Sequence, residues 1–337
     1  MPHDKQNSAA FGQALEKGDS DDFVMPVAPP PAPKGVATRA NENNQPLIVE
    51  DIREDLTRST KAATTTGETL PGETKNFQLT GSTNIQMCWI PPGKFTMGSH
   101  VKESRRNTDE NLHLVEFSRG FWMAKYSLMQ EQWFAVMGTR PSAFGKRGKL
   151  RSLIGGSGEQ WKVLPVESVS WIDICGNNHR RGGFLGMVSP SAPRGWRFDL
   201  PSETQWEYAC RAGTTTAFNN GGGLARFSLW SSNLSKLGWY AQNNGERIHP
   251  VGQKLPNSWG LYDMHGNVRE WCSDHYGEYP KVAKIDPLGP LVGEGRVNRG
   301  GGWSSNLKSC RSACRSFDKE EHSSKRLGFR LILRDVS

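Results

Sequence analysis

Apolar and polar positions alternate only over short stretches of this chain, so the elements that they predict are short. Residues 87–90 form an apolar run that a Pro-Pro-Gly sequence stops, and residues 94–98 resume it, which predicts two strands joined by a turn. Residues 117–126 predict a further strand. Residues 327–333 carry leucine or phenylalanine at every second position, which is typical of a strand with one buried face.

Three segments carry the spacing and the end signals of helices. Residues 130–137 repeat apolar side chains at helical intervals, and a glycine follows them. A second helix is predicted over residues 171–176. Residues 197–213 give the clearest signal, because Ser202 is a suitable N-cap and Gln205 stands at the capping-box position.

The remaining stretches predict loops. Residues 176–196 and 214–258 are polar and rich in glycine, which indicates surface loops. Residues 296–303 predict a strand that enters a turn of three glycines.

Residues 260–272 fit neither an amphipathic helix nor an alternating strand, since apolar side chains are mixed with two glycines, an amide and two carboxylates. We interpret this stretch as a buried loop whose backbone is held by its own polar side chains. Asp263 and Glu270, with carbonyl groups between them, could supply the hard oxygen ligands that calcium prefers. The same carboxylates could instead cap loop amides. Both interpretations remain open at this point.

Composition separates the N-terminal quarter of the chain from the rest. Residues 24–33 are rich in proline, and residues 35–80 contain no aromatic side chain before Phe77. Such a segment buries too little apolar area to offset the entropy lost on ordering. We therefore predict a disordered, proline-rich N-terminal extension over residues 1–80 and one folded domain over residues 81–337.

The overall hydropathy, cysteine content and net charge of the chain argue against several classes of protein. A mean hydropathy of −0.62 and the lack of a long apolar run predict a soluble chain without a membrane partner. The first residues lack the layout of a secretory signal, so we expect a cytoplasmic protein. The six cysteines form no CxxC pair, which argues against structural zinc and a disulfide scaffold. The net charge of +8 is spread over short clusters, so we expect a solvated basic surface and no nucleic-acid partner.

Several blocks of this sequence, taken in order, resemble the sulfatase-modifying-factor or formylglycine-generating enzyme family. The matching blocks are residues 89–99, 132–133, 141–142, 165–171, 200–209, 260–271, 299–301 and 328–330. The resemblance covers about residues 87–334. It implies an α+β fold in a single compact domain, a variant of the C-type-lectin fold with little regular secondary structure. It also implies a structural calcium ion (Ca2+), whose ligands by position would be the Asp263 and Glu270 side chains and the Gly266 and Val268 carbonyls.

The resemblance also shows what this chain lacks. The family's oxidases use two cysteines, shortly after a Gly-Gly-Ser sequence, to bind copper and oxidise a substrate cysteine. Here Gly302 replaces that serine, Ser305 replaces the first cysteine, and Cys310 matches the second only when counted from the glycines. A hydroxyl is a poor ligand for Cu(I), so we expect no copper. We expect no iron either, because the iron-dependent relatives use three histidines of an extra helical domain.

The two best interpretations of function follow from this comparison. One is a non-catalytic module that binds an unknown protein or small molecule through residues 303–326, where hydroxyl, amide and aromatic side chains form an adaptable surface. The candidate ligand-binding residues are Trp303, Ser304, Ser305, Asn306, Phe317, Asp318, His322, Ser323 and Ser324. Variable proteins of diversity-generating retroelements share this fold and diversify this window, and an ordinary polar loop is the plainer alternative. The other interpretation is a formylglycine-generating oxidase acting on cysteines of protein substrates.

Overall fold

The structure, a computed structural model, describes residues 69–145, 159–177, 182–224 and 231–337. By its internal contacts the chain divides into residues 1–67 and 68–337, and every described residue belongs to the second unit. The extension predicted for residues 1–80 therefore lies outside the described residues as far as residue 68.

Twelve strands form three sheets in the described part of the chain. They are β1 Thr74–Thr80, β2 Thr83–Ile90, β3 Gly93–Met97, β4 His113–Phe117, β5 Phe121–Ala124, β6 Trp196–Asp199, β7 Arg269–His275, β8 Lys284–Ile285, β9 Arg296–Arg299, β10 Arg315–Asp318, β11 Leu327–Phe329 and β12 Ile332–Asp335. The strand orders are β1-β2-β5-β12-β6, β10-β9-β7-β11 and β3-β4-β8. Neighbouring strands are antiparallel, except that β11 runs parallel to β7 and β8 parallel to β4.

Within the described residues, five short α-helices accompany these sheets. They are α1 Gln130–Met137, α2 Trp171–Cys175, α3 Phe184–Val188, α4 Glu203–Arg211 and α5 Ser232–Leu237. The predicted end signals act as expected: Gly138 closes α1 in the left-handed conformation, and the Ser202 hydroxyl accepts the amide of Gln205 at the start of α4. The α+β fold with little regular secondary structure is confirmed.

Two hydrophobic cores share the strands of the two larger sheets. In β7, Trp271 belongs to the first core and Cys272 to the second, and in β5 Trp122 and Met123 divide in the same way. Because successive side chains of a strand point to opposite faces, each of these strands fills both cores. This explains why the strand sequences are apolar at neighbouring positions and do not alternate cleanly.

Three predictions about elements need correction. Strand β1 lies in the segment assigned to the N-terminal extension, because Phe77 and Leu79 are buried in the first core although their polar neighbours dominate the composition. Helix α3 occupies part of the predicted loop 176–196 and buries Phe184. The predicted loop 260–272 ends in β7, whose residues pair with β9 and β11.

The predicted strand over residues 327–333 is two strands in different sheets. Strand β11 pairs with β7, and β12 pairs with β5 and β6. The chain passes between the sheets at Arg330, which is fully buried. The change of sheet leaves the alternation of apolar residues intact, so the sequence pattern does not reveal it.

Arg330 holds this crossing point through a dense set of hydrogen bonds. Its guanidinium donates to the carboxylate of Glu270 at 2.9 Å and to the carbonyl oxygens of Ala124, Lys125 and Tyr262. Buried guanidinium groups are stable only when they are paired and hydrogen-bonded in this manner. The pair thus connects β7, β5 and the loop before β7 to the crossing between β11 and β12.

Replacing this arginine tests the assignment. We expect Arg330→Met to lower the free energy of unfolding by about 3–5 kcal/mol, because Glu270 would stay buried without an opposite charge. Urea unfolding curves measure the loss. Arg119→Met is the matched control, since Arg119 pairs with Asp335 at the surface with 62% of its side chain exposed, and should cost about 1 kcal/mol or less. Equal losses in the two variants would contradict the role of Arg330.

Candidate functional site: the C-terminal surface

The segment 303–326, predicted to bind a ligand, follows the glycine turn after β9 and ends before β11. In this turn Gly300 and Gly301 have φ values of 92° and 68°, which favour glycine. A Cβ atom on Gly301 would also lie within 2.6 Å of the Cys310 sulfur. The turn therefore requires glycine for both its conformation and its packing.

Two of the predicted ligand-binding residues are buried, so their side chains are not part of the exposed surface. Trp303 is only 8% exposed and packs against Phe144, with its ring perpendicular and its centroid 5.6 Å away. Ser305 is 7% exposed, and its hydroxyl accepts the amide of Gly302 at 2.9 Å. Both residues shape the loop from within, because Trp303 joins a small apolar cluster with Phe144 and Val268 and Ser305 closes the turn onto Gly302.

The other predicted residues reach solvent. Asn306, Phe317, His322 and Ser323 are exposed, whereas Ser304, Asp318 and Ser324 are half-buried. We call these seven residues the C-terminal surface.

The buried side chain of Trp303 connects the two loops of the C-terminal surface, residues 304–309 and 319–326. Its indole nitrogen donates to the carbonyl oxygen of Lys325 at 3.1 Å, and the Lys325 ammonium lies 5.5 Å from the ring centroid. The carbonyl oxygen of Trp303 accepts the side-chain amide of Asn244 at 2.7 Å. A buried aromatic anchor thus holds the loop 304–309 beside the end of the loop 319–326.

The second loop is fixed to the body of the domain. Glu320 accepts a hydrogen bond from Arg296 at 2.8 Å, and its carbonyl oxygen accepts the amide of Ile172. The carbonyl oxygen of Ser324 accepts the amide of Ser168 at 2.9 Å. Because this backbone is already anchored, binding would have to order only the exposed side chains, which suits recognition.

Phe317 stands apart from the other members of the C-terminal surface. Along β10 it points to the face opposite Ser316 and Asp318. Its ring stacks on Tyr276 with centroids 4.4 Å apart, and the Arg315 guanidinium lies over the same tyrosine. The structure therefore does not bring all the predicted residues together on one face.

Arg269 adjoins the C-terminal surface and was missed in the sequence. Its Nη1 donates to the hydroxyl of Ser316 at 3.3 Å, and its buried Nε has no partner in the described part of the chain. The sequence offers no signal for this contact, because 47 residues separate the two positions.

The cysteines of this segment do not form an exposed pair. Cys310 and Cys314 are free, buried thiols, and burial raises the pKa of each above its ordinary value. A thiol that stays protonated at neutral pH is a weak nucleophile and a weak metal ligand. Both residues therefore have the properties of ordinary buried cysteines.

The proposed calcium ligands fit an ion only in part. Asp263 is buried, one carboxylate oxygen accepts the amide of Gly252 at 2.8 Å, and the other has no partner among the described residues. Burial raises the pKa of Asp263 to about 6. A nearby cation would favour the charged form of such a group. Asp263 thus fits calcium, and it also caps a loop amide, as the plainer interpretation expects.

Glu270 does not fit the calcium site as a side-chain ligand. Its two oxygens accept hydrogen bonds from Arg330, from the Trp206 indole at 2.7 Å and from the Ser127 hydroxyl at 2.6 Å. A cation would have to displace the arginine. Among the described residues no group of three histidine, cysteine or acidic side chains is placed to hold a metal ion.

Comparison with known proteins agrees with this architecture. The sulfatase-modifying factor enzyme 1-like domain matches residues 73–335. The formylglycine-generating enzyme of Bos taurus is 34% identical over 288 residues, which cover 73% of this chain and 74% of that protein. The chain has the C-type-lectin-like fold of formylglycine-generating enzymes, and it belongs to the sulfatase-modifying factor family.

Two solved structures have a similar fold. Treponema denticola variable protein 1 is 25% identical with a TM-score of 0.63, and the match covers 77% of this chain and 99% of that one. PvdO from Pseudomonas aeruginosa is 24% identical with a TM-score of 0.62, covering 79% and 100%. In the described part of this chain no helix is long and apolar enough to span a membrane.

Calcium should have a small effect on stability. A calcium site with fewer charged ligands binds the ion more weakly. A site with Asp263 as its only carboxylate should therefore have a Kd of about 10⁻⁴–10⁻³ M. We therefore expect millimolar calcium to raise the melting temperature above its value in chelator. The variant Asp263→Asn should remove the difference, and Asp286→Asn is the control on an exposed loop. Identical melting temperatures for the wild-type chain in calcium and in chelator would contradict a calcium site.

Proposed function

We propose that this chain is a non-catalytic binding module on the formylglycine-generating enzyme scaffold. Its ligand or partner protein would contact the members of the C-terminal surface other than Phe317, which points to a different face. The observation that carries this proposal is the division of residues 303–326 into buried anchors and exposed polar side chains. Trp303 and Ser305 hold the backbone, while Asn306, His322 and Ser323 remain available for contact.

The surroundings of Ser305 and Cys310 support the loss of oxidase chemistry. These residues stand where the resemblance places the two copper-binding cysteines. The Ser305 hydroxyl is engaged with Gly302, and Cys310 is fully buried with a raised pKa. Copper oxidation of a cysteine requires accessible thiolates, which are soft ligands for Cu(I).

The similarity to a variable protein supports a recognition role for this surface. The Treponema denticola chain carries that description and shares the fold over nearly its whole length. We propose that the C-terminal surface of this chain is diversified in the same manner, which would explain its small, hydroxyl-rich composition. We also propose the cytoplasm as its compartment, since all six cysteines are free thiols.

An oxidase acting on cysteines of protein substrates is the second candidate, and it rests on the formylglycine-generating enzymes among the relatives. The test is to incubate the copper-loaded chain with a cysteine-containing peptide of the sulfatase type. We expect no aldehyde by mass spectrometry, because the pair of thiols is missing. A known formylglycine-generating enzyme serves as the positive control. Aldehyde formation that disappears in Cys310→Ala would overturn the non-catalytic proposal.

The binding role is tested by changing only exposed side chains. We expect a combined variant, Asn306→Lys with His322→Glu and Ser323→Lys, to change unfolding free energy by about 0.5 kcal/mol per substitution or less. The same variant should weaken binding of the purified partner by at least about 10-fold, since interface contacts of this kind contribute about 1 kcal/mol or more each. The partner is first captured by the wild-type chain, identified and purified.

The matched control changes exposed residues on a different element. Thr74→Lys with Asn76→Lys alters the exposed positions of β1 and should leave both stability and binding unchanged. Partner affinity equal to that of the wild-type chain in the combined variant would place the binding site elsewhere.

A further inference from the structure

A second concave site lies between α2, α3, β6 and β9, and the proposed function does not use it. The cavity has a volume of about 220 Å³. The space is partly open to solvent and is large enough for one small organic molecule. Trp171, Leu185 and Phe198 line it, and the thiol-bearing Cys175 stands beside them.

A buried guanidinium lines the same cavity. Arg296 is only 6% exposed, and its Nε and Nη1 donate to the Glu320 carboxylate and the Ser273 carbonyl, each at 2.8 Å. Its central carbon lies 3.9 Å from the ring centroid of Trp171. These contacts hold the group rigidly, and a guanidinium has five N–H donors, so N–H groups beyond the two used here can donate to a ligand.

A second guanidinium, that of Arg197, also lines the cavity. Arg197 donates through Nη2 to Asp199 at 2.7 Å, and Asp199 also accepts from Arg334 at 3.1 Å. Among the described residues that line the cavity, Arg197 and Arg296 are cationic and Asp199 is acidic. This lining carries a net charge of one positive, which one bound monoanion would neutralise.

We propose that this cavity binds a small organic monocarboxylate with an apolar body. The carboxylate would accept hydrogen bonds from Arg296 and Arg197, because a guanidinium matches its planar, two-oxygen geometry. The apolar body, a ring or a branched chain, would pack against Trp171, Leu185 and Phe198. A pocket of apolar walls with a few convergent polar groups is the usual form of a small-molecule site.

The net charge and the apolar walls of the cavity favour an organic monocarboxylate over an inorganic anion. A phosphate dianion would bring a second negative charge that no group in the cavity neutralises, and burying an uncompensated charge is costly. Phosphate also lacks an apolar body, so it would leave the aromatic walls in contact with water. The site therefore favours a monoanion that has a hydrophobic part.

Benzoate is the probe, tested on the full-length chain by equilibrium dialysis. We expect saturable uptake of one benzoate per chain. Benzamide, which has the same shape without the charge, should bind at least about 10-fold more weakly, since it cannot form hydrogen bonds between oppositely charged groups. Inorganic phosphate should not displace benzoate. Absence of saturable benzoate uptake, equal binding of benzamide, or displacement by phosphate would each overturn the proposal.

Two variants test whether benzoate binds in this cavity. Leu185→Trp fills the space without changing any charge, and Arg197→Gln removes one guanidinium that is partly exposed, so both should fold. Each should weaken benzoate binding by about 10-fold or more, with a cooperative thermal transition as the check on folding. Arg119→Gln, which breaks another carboxylate pair at the surface, should bind benzoate like the wild-type chain. Wild-type affinity in both cavity variants would overturn the assignment, whatever the result for the C-terminal surface.

Discussion

The ion pair between Glu270 and Arg330 is the contact on which the rest of this domain depends. It joins the start of β7 to the point where the chain leaves the four-stranded sheet and enters the five-stranded one. The Trp206 indole of α4 and the Ser127 hydroxyl bind the same carboxylate. One buried charge pair therefore fixes the relative position of two sheets, a helix and a loop.

Buried arginines repeat this arrangement elsewhere in the domain. Arg299 binds Glu203 and Glu207, and Arg311 binds Glu103 and Glu110. Burial alone would raise the pKa of Glu203, but the charges of Arg315 and Arg299 outweigh it and hold the pKa below its ordinary value. Strands of four or five residues supply few ladder hydrogen bonds, so much of the loop backbone is held by guanidinium groups instead. The same groups explain how a basic composition can coexist with a compact core.

The C-terminal surface is held in place by one of these buried arginines. Arg296 ties the loop 319–326 to the sheet through Glu320, and it lines the cavity on the other side of that contact. The C-terminal surface and the cavity thus share one anchoring residue while presenting different chemistry. The first offers small polar side chains to a partner, and the second offers guanidinium donors and aromatic walls to a small anion.

The sequence by itself determined the local features of this protein. Capping at Ser202, the left-handed end at Gly138 and the glycine turn at Gly300 depend on residues close in the chain, and the order of its motifs was enough to identify the family. These features were predicted because their physical causes act within a few residues.

Only the tertiary structure decided which residues pair and which are buried. Trp303 and Ser305 have the composition of a binding loop, yet packing against Phe144 and a hydrogen bond to Gly302 bury them. Glu270 resembles a calcium ligand, yet Arg330, separated from it by 60 residues, occupies its carboxylate. The change of sheet at Arg330 and the burial of β1 also depend on partners far along the chain. Burial and charge pairing are properties of the whole packed domain, and no local pattern of residue types determines them.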